Sequence, residues 1–368
     1  MTRVLVAPDK FKGSLDAAGV AAALARGLRT AGAEAVELPV ADGGDGTVAA
    51  ALAAGWHAVR VTVAGPTGSP VETTIARRGD DAVVEMADAC GLVRLDGTLA
   101  PMTATSRGLG EAVAAAVADG ATRVVVGIGG SASTDGGTGM LRALGAGVLD
   151  AAGAPVADGG AGLGAVAALD LAGLRLDGVT LVVACDVDNP LTGPHGAAAV
   201  YAPQKGAGPA QVEELDHGLT RWADVVASTT GHDLRDAAGA GAAGGVGFAA
   251  LAVLGATMRS GADLVLDLVG LDDALDAADL VVTGEGSFDE QTLRGKAPAV
   301  VASRAARHGV PVVMVCGRTT LSEGQAREAG FVAVHALATL EPDPARCMAD
   351  APALLERVGS SAVATLVL

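Results

Sequence analysis

The sequence predicts an α/β protein of two domains, and three observations carry that prediction. Short apolar runs end in glycine, proline or an acid and lead into segments of helical spacing, the alternation of a parallel sheet buried on both faces. This rhythm occurs at both ends of the chain, while the middle contains a stretch that reads as antiparallel strands. The length, 368 residues, suits two ordinary domains.

The elements follow in order. Val4 to Ala7 reads as a strand, Ala17 to Ala31 as a helix, A-V-E-L-P-V from Ala35 as a strand, and A-D-G-G-D-G-T (Ala41 to Thr47) as the lead into another helix. Val61 to Ala87 looks like two or three antiparallel strands joined by Gly/Pro turns. A helix from Gly110, the strand R-V-V-V-G-I-G-G, a glycine-led helix and the strand V-T-L-V-V-A-C-D-V come next. Leu280 to Thr283, Pro311 to Cys316 and Phe331 to Leu337 read as strands, Pro298 to His308 as a helix, and Met348 to the end as a final helix. The expected layout is a discontinuous parallel-sheet domain, residues 1–65 and 279–368, with a mixed α/β domain, 66–278, inserted in it. The boundaries are placed at the Gly-Pro of Gly65 and the Ala-Asp of Ala278, with a continuous split of the chain as the alternative.

Half of the residues are apolar, so a large core is readily buried, and 53 glycines suit tight strand-to-helix turns. The net charge of -17 argues against a nucleic-acid partner, which needs a basic face. Cys90, Cys185, Cys316 and Cys347 have no metal-like spacing and read as reduced thiols. There is no signal-peptide pattern and no run of about 18 uninterrupted apolar residues. The expectation is a soluble, cytoplasmic protein that contacts neither membrane nor nucleic acid; a homo-oligomer is compatible with it.

Five segments place glycine beside acids or hydroxyls: Ala41 to Thr47, Gly127 to Gly137, Ala184 to Leu191, Gly239 to Gly247 and Thr283 to Lys296. Glycines bare backbone N–H groups and helix N-termini add partial positive charge, which suits phosphate. Carboxylates at the same rim can hold Mg²⁺ or accept a proton. One such segment is more often a turn than a site; five together favour a phosphate-handling enzyme. There is no G-x-x-x-x-G-K-[ST] loop, no clean dinucleotide fingerprint after the first strand and no G-x-S-x-G, so a hydrolase triad around Ser131 or Ser133 is disfavoured.

Of the 25 basic residues only Lys10, Lys12, Lys205 and Lys296 are lysines, and all are in glycine-flanked segments. An ammonium is a compact charge on a flexible stem, suited to a moving phosphoryl group. Among the six histidines only His195 lies near a cluster, that of Asp186; Trp222 and Tyr201 read as packing residues.

The motifs A-P-D-K-F-K-G-S, P-V-A-D-G-G-D-G-T, I-G-G-S-A-S-T-D-G-G, A-C-D-V-D-N-P-L, A-P-Q-K-G-A and T-G-E-G-S-F-D-E-Q-T-L-R-G-K together resemble the bacterial glycerate kinase family, type I, in order and spacing. The resemblance implies ATP-dependent, Mg²⁺-assisted phosphorylation of D-glycerate to 2- or 3-phosphoglycerate. It also implies a flavodoxin-like domain and a distinct mixed α/β domain with the active site in the cleft between them. The family often has serine where Lys10 stands, which makes Lys12 the phosphate candidate. Asp186 is then the expected base, with Lys12 and Asp42 as further catalytic residues. Lys12, Lys205 and Lys296 would hold phosphates or the glycerate carboxylate. Asp42 and Asp45, or Glu285 and Asp289, would orient Mg²⁺, the latter pair being the metal-site candidates. Gly129, Gly130, Gly136 and Gly137 would offer backbone amides. Asp9, Ser14, Gly43, Gly44, Asp45, Ser131, Asp135 and Asn189 complete the expected substrate- and phosphate-binding set. The alternatives are a kinase for another small hydroxy acid, or a non-catalytic nucleotide or sugar-phosphate binder. An NAD-dependent oxidoreductase would need a fingerprint loop after a strand with an acid about 20 residues further on, and the sequence offers no convincing one.

Overall fold

The computed structural model describes residues 1–362, and the chain is α/β as expected. It divides into two compact units: Met1–Asp42 with Ala49–Gly55 and Ala262–Leu368, and Gly43–Val48 with Trp56–Gly261.

The first unit holds a five-stranded, all-parallel sheet in the order Phe331–Ala336, Val312–Thr319, Leu280–Phe288, Arg3–Pro8, Glu34–Glu37. The strands are apolar on both faces because helices cover both. Leu5, Ala7, Val281 and Val312 belong to one core, and Val4, Val6, Leu280 and Val313 to another. The chain runs outward from Arg3–Pro8 to Glu34–Glu37, and in the opposite direction from Leu280–Phe288 to Val312–Thr319. The two central strands therefore flank a topological switch point, where open α/β sheets bind ligands. The helix Ala17–Thr30 starts because the Asp16 carboxylate accepts the Gly19 amide at 2.7 Å. It packs on Ala351–Ala362, where a Cβ on Gly27 would sit 2.0 Å from the Glu356 carbonyl, so only glycine permits that approach.

The second unit holds a six-stranded mixed sheet in the order Thr257–Arg259, Thr180–Ala184, Arg123–Gly127, Asp81–Glu85, Pro70–Arg78, His57–Ala64. The first four are parallel, and the last two join antiparallel, as the Gly/Pro turns predicted. Its core runs from Val63 to Ala256 and includes fully buried Trp222, in keeping with the packing role expected of it.

Several elements differ from the sequence reading. In A-V-E-L-P-V only Ala35–Glu37 is strand, as part of Glu34–Glu37, although the Leu38 and Val40 amides still donate to the Val6 and Pro8 carbonyls at 2.8 and 2.9 Å. The helix expected from Gly110 begins at Arg107. The helix Pro209–Thr230 and the hairpin of Gly147–Leu149 with Ala168–Asp170 were not anticipated. The strand His57–Ala64, placed before the Gly65 boundary, pairs along its length with Pro70–Arg78 of the second unit. Ala262, Val265 and Leu266, placed before the Ala278 boundary, pack in a core of the first unit. The final helix is seen as Ala351–Ala362, and residues 363–368 of that expectation lie outside the described residues. Among the described residues no helix is long and apolar enough to cross a membrane.

Candidate active-site residues

In the first unit the segments after the two central strands come together. The Asp9 amide donates to the Gly284 carbonyl at 2.8 Å, and a Cβ on Gly286 would lie 3.4 Å from the Lys12 amide nitrogen. Asp9 is 8% exposed, and its carboxylate accepts the Lys10 amide at 2.6 Å. Burial pushes that carboxyl up to about 7, the neighbouring charge of Asp42 adds to the rise and Glu285 adds a little more, against the pull of Lys10. Lys12 is exposed and forms no ion pair among the described residues. The turn that carries Lys12 closes through Phe11 and Leu15, and the Ser14 hydroxyl donates to the Met348 carbonyl at 2.7 Å.

Glu285 is also buried, which raises its carboxyl, while a hydrogen bond from the Thr292 hydroxyl and the Lys296 ammonium at 3.5 Å oppose the rise. Asp289 orders the turn that follows: one oxygen accepts the Gln291 amide at 2.9 Å and the other the Ser287 hydroxyl at 3.3 Å. Among the described residues no group of three or more His, Cys, Asp or Glu is arranged to hold a metal ion.

In the second unit four of the five glycine segments converge. Glu85, Gly127 and Ala184 are in register across three adjacent parallel strands, so their loops leave the same edge. Against them lies the Gly43–Thr47 loop. A Cβ on Gly129 would meet Gly44 Cα at 2.6 Å, and one on Gly43 would meet Gly261 Cα at 2.4 Å and Ala184 Cβ at 2.9 Å. Glu85, which the sequence reading passed over as the end of a strand, organises this loop. Its carboxylate accepts the Gly46 amide at 3.0 Å and the Val48 amide at 3.1 Å, capping the helix Thr47–Ala53. Burial pushes the Glu85 carboxyl up to about 7 in spite of those bonds. Asp45 is exposed.

Asp186 is exposed and accepts the Gly261 amide at 2.8 Å. Asn189 is engaged at both ends: its amide donates to the His195 carbonyl at 2.9 Å, and its oxygen accepts the Tyr201 hydroxyl at 2.5 Å. The amides of Gly136 and Gly137 are directed inward, to the Gly244 carbonyl at 2.9 Å and to Asp135 at 3.1 Å. Gly130 is exposed and Gly129 half-buried. Asp135 is fully buried and accepts the Ser106 amide and hydroxyl, both at 2.8 Å, and the Gly139 amide at 3.2 Å. Lys205 is 2% exposed, with Nζ donating to Ser131 Oγ at 2.7 Å and to the Ser133 carbonyl at 2.6 Å.

Parallel strands that end in glycine loops, carboxylates and helix starts define an α/β protein with polar loops at the carboxyl ends of its strands, where open α/β sheets bind their ligands. The chain belongs to the glycerate kinase family, whose family model matches residues 4–367. It is 42% identical to the glycerate kinase of Bacillus subtilis strain 168, over 91% of this chain and 90% of that one. It is also 42% identical to the glycerate 2-kinase of Escherichia coli K12, over 92% and 91%. A crystal structure assigned to glycerate kinase 2 of Salmonella typhimurium LT2 superposes with a TM-score of 0.85 at 41% identity, covering 100% of both chains.

Proposed function

We propose that the protein transfers the γ-phosphoryl group of ATP to a hydroxyl of D-glycerate. The observation that carries the reading is the row of Glu85, Gly127 and Ala184, which sets three glycine- and acid-bearing segments side by side at the carboxyl edge of one sheet. Phosphoryl transfer requires mainly positioning and charge neutralisation around an in-line displacement, and loops of this kind supply both.

Within that reading Asp186, exposed and oriented by the Gly261 amide, accepts the proton of the attacking hydroxyl. Exposed Lys12, and Lys296 beside Glu285, hold anionic groups of the substrates. Gly129 and Gly130 offer backbone amides where Gly136 and Gly137 do not. Mg²⁺ needs few protein ligands when it arrives on a nucleotide, so the lack of a three-ligand cluster among the described residues does not conflict with its use. Asp42, Glu285 and Asp289 are the carboxylates that would hold it, and bound there it would neutralise phosphate charge. The name of the Escherichia coli relative favours the 2-hydroxyl as acceptor.

The test is ³¹P NMR of the protein with ATP, Mg²⁺ and D-glycerate. A phosphomonoester on glycerate, with two-dimensional coupling to the C2 proton, is expected. ATP consumed with no phosphoglycerate formed refutes the acceptor, and a signal coupled to the C3 protons refutes the position.

A further inference from the structure

We infer that Lys205 is a positioning residue, an internal ammonium that fixes the Gly127–Gly137 loop from beneath instead of touching substrate. The inference rests on the reading above of that loop as an anion-receiving element. Three observations support it. Lys205 is 2% exposed, so its side chain is closed off from solvent. Its Nζ is committed to Ser131 Oγ at 2.7 Å and the Ser133 carbonyl at 2.6 Å, more than 70 residues away in sequence. The same loop is held from other sides, since Leu92 donates its amide to the Gly130 carbonyl at 2.9 Å and Gly91 bridges Ser131.

The loop is thus fixed at the glycines it would present and along the stretch that follows them. Gly130 is anchored through Leu92, residues 131 and 133 through Lys205, and residue 135 through the donors gathered around its carboxylate. A fully buried ammonium is costly unless it is hydrogen-bonded and compensated by charge. Here burial pulls Lys205 down to about 7, with the charge of Asp135, and less that of Cys90, opposing. Burial pushes the Cys90 thiol itself up to about 12, so Asp135 is the working counter-charge. The expense of burying this lysine is accounted for if removing it lets the loop sag and the amides of Gly129 and Gly130 lose their aim.

Lys205→Met keeps the apolar stem and deletes the donors. Amide hydrogen exchange of the ligand-free protein, read peptide by peptide, separates the two roles, because a group that only touches substrate leaves the unliganded loop unchanged. The expected result is exchange at least tenfold faster over residues 127–137, turnover reduced at least tenfold, and KM for ATP and for glycerate each within threefold of the parent. Unchanged exchange overturns the inference, whether one KM rises tenfold, which indicates direct contact, or all kinetics stay the same. If Lys205→Met does not fold, Ser131→Ala removes one of the two anchors and is read in the same way: unchanged exchange at 127–137 overturns the inference, and faster exchange supports it. A parent protein that releases no ADP with glycerate refutes the proposed reaction, while the exchange measurement still decides the role of Lys205.

Discussion

The Glu85 carboxylate accepts the Gly46 amide at 3.0 Å and the Val48 amide at 3.1 Å, so the end of one strand fixes the glycine loop that opens a helix 39 residues earlier. Two backbone donors that would otherwise lack partners are satisfied by one buried acid.

Glu85→Ala leaves both amides without an acceptor, and unfolding in denaturant is expected to show a loss of about 2–6 kcal/mol, at about 1–3 kcal/mol for each donor left unpaired. A change below 0.5 kcal/mol contradicts the capping role.

The same residue sets a pH dependence with a definite sign. Its folded pKa, about 7, lies above the ordinary 4.5, so the fold binds its proton more tightly than the unfolded chain does. Its contribution is fully present below pH 4.5 and is lost as the pH rises through 7. Glu85→Gln cannot ionise, so the stability difference between parent and variant should move in favour of the variant between pH 5 and 7.5. Asp9 titrates in the same direction but is common to both proteins and cancels. A pH-independent difference contradicts the assignment.

Asp186→Asn retains an oxygen for the Gly261 amide and loses only basicity. Turnover should fall by roughly 10²–10⁴-fold with little change in KM for either substrate. Near-normal turnover removes Asp186 from the role of base.

Lys12→Ala should raise the KM for ATP or for glycerate about tenfold, the loss of one charge-assisted contact of about 1.4 kcal/mol, without lowering thermal stability. The side chain is exposed and unpaired among the described residues, so its removal leaves nothing buried unsatisfied. Unaltered kinetics end its role as an anion contact.

Gly129→Ala would set a methyl group 2.6 Å from Gly44 Cα, forcing two backbones apart. Overpacking of this kind costs about 1–3 kcal/mol, and activity should fall further than stability because the loop itself moves. An alanine variant as stable and active as the parent contradicts the close packing of the two loops.

Much of this was legible in the sequence because it is local. The strands Arg3–Pro8 and Leu280–Phe288, the glycine turns after them and the glycine-flanked lysines are read from neighbouring residues. Pairing between distant residues was not legible. Glu85 is the final residue of the apolar strand Asp81–Glu85, and nothing nearby signals that it caps a helix begun at Thr47. Gly136 and Gly137 have the composition of an anion loop, yet Gly244 and Asp135 take their amides. Lys205 looks like its fellow lysines until its partners at Ser131 and Ser133 are known. Composition signals that a residue can do chemistry, and tertiary contact decides whether it faces substrate or supports what does.

The most direct test of the central claim is a coupled assay of ADP release with Mg²⁺-ATP and D-glycerate, L-glycerate or no acceptor. Release that depends on D-glycerate, is much weaker with L-glycerate and is absent without acceptor is the predicted result. Release independent of acceptor, or none with either enantiomer, contradicts it.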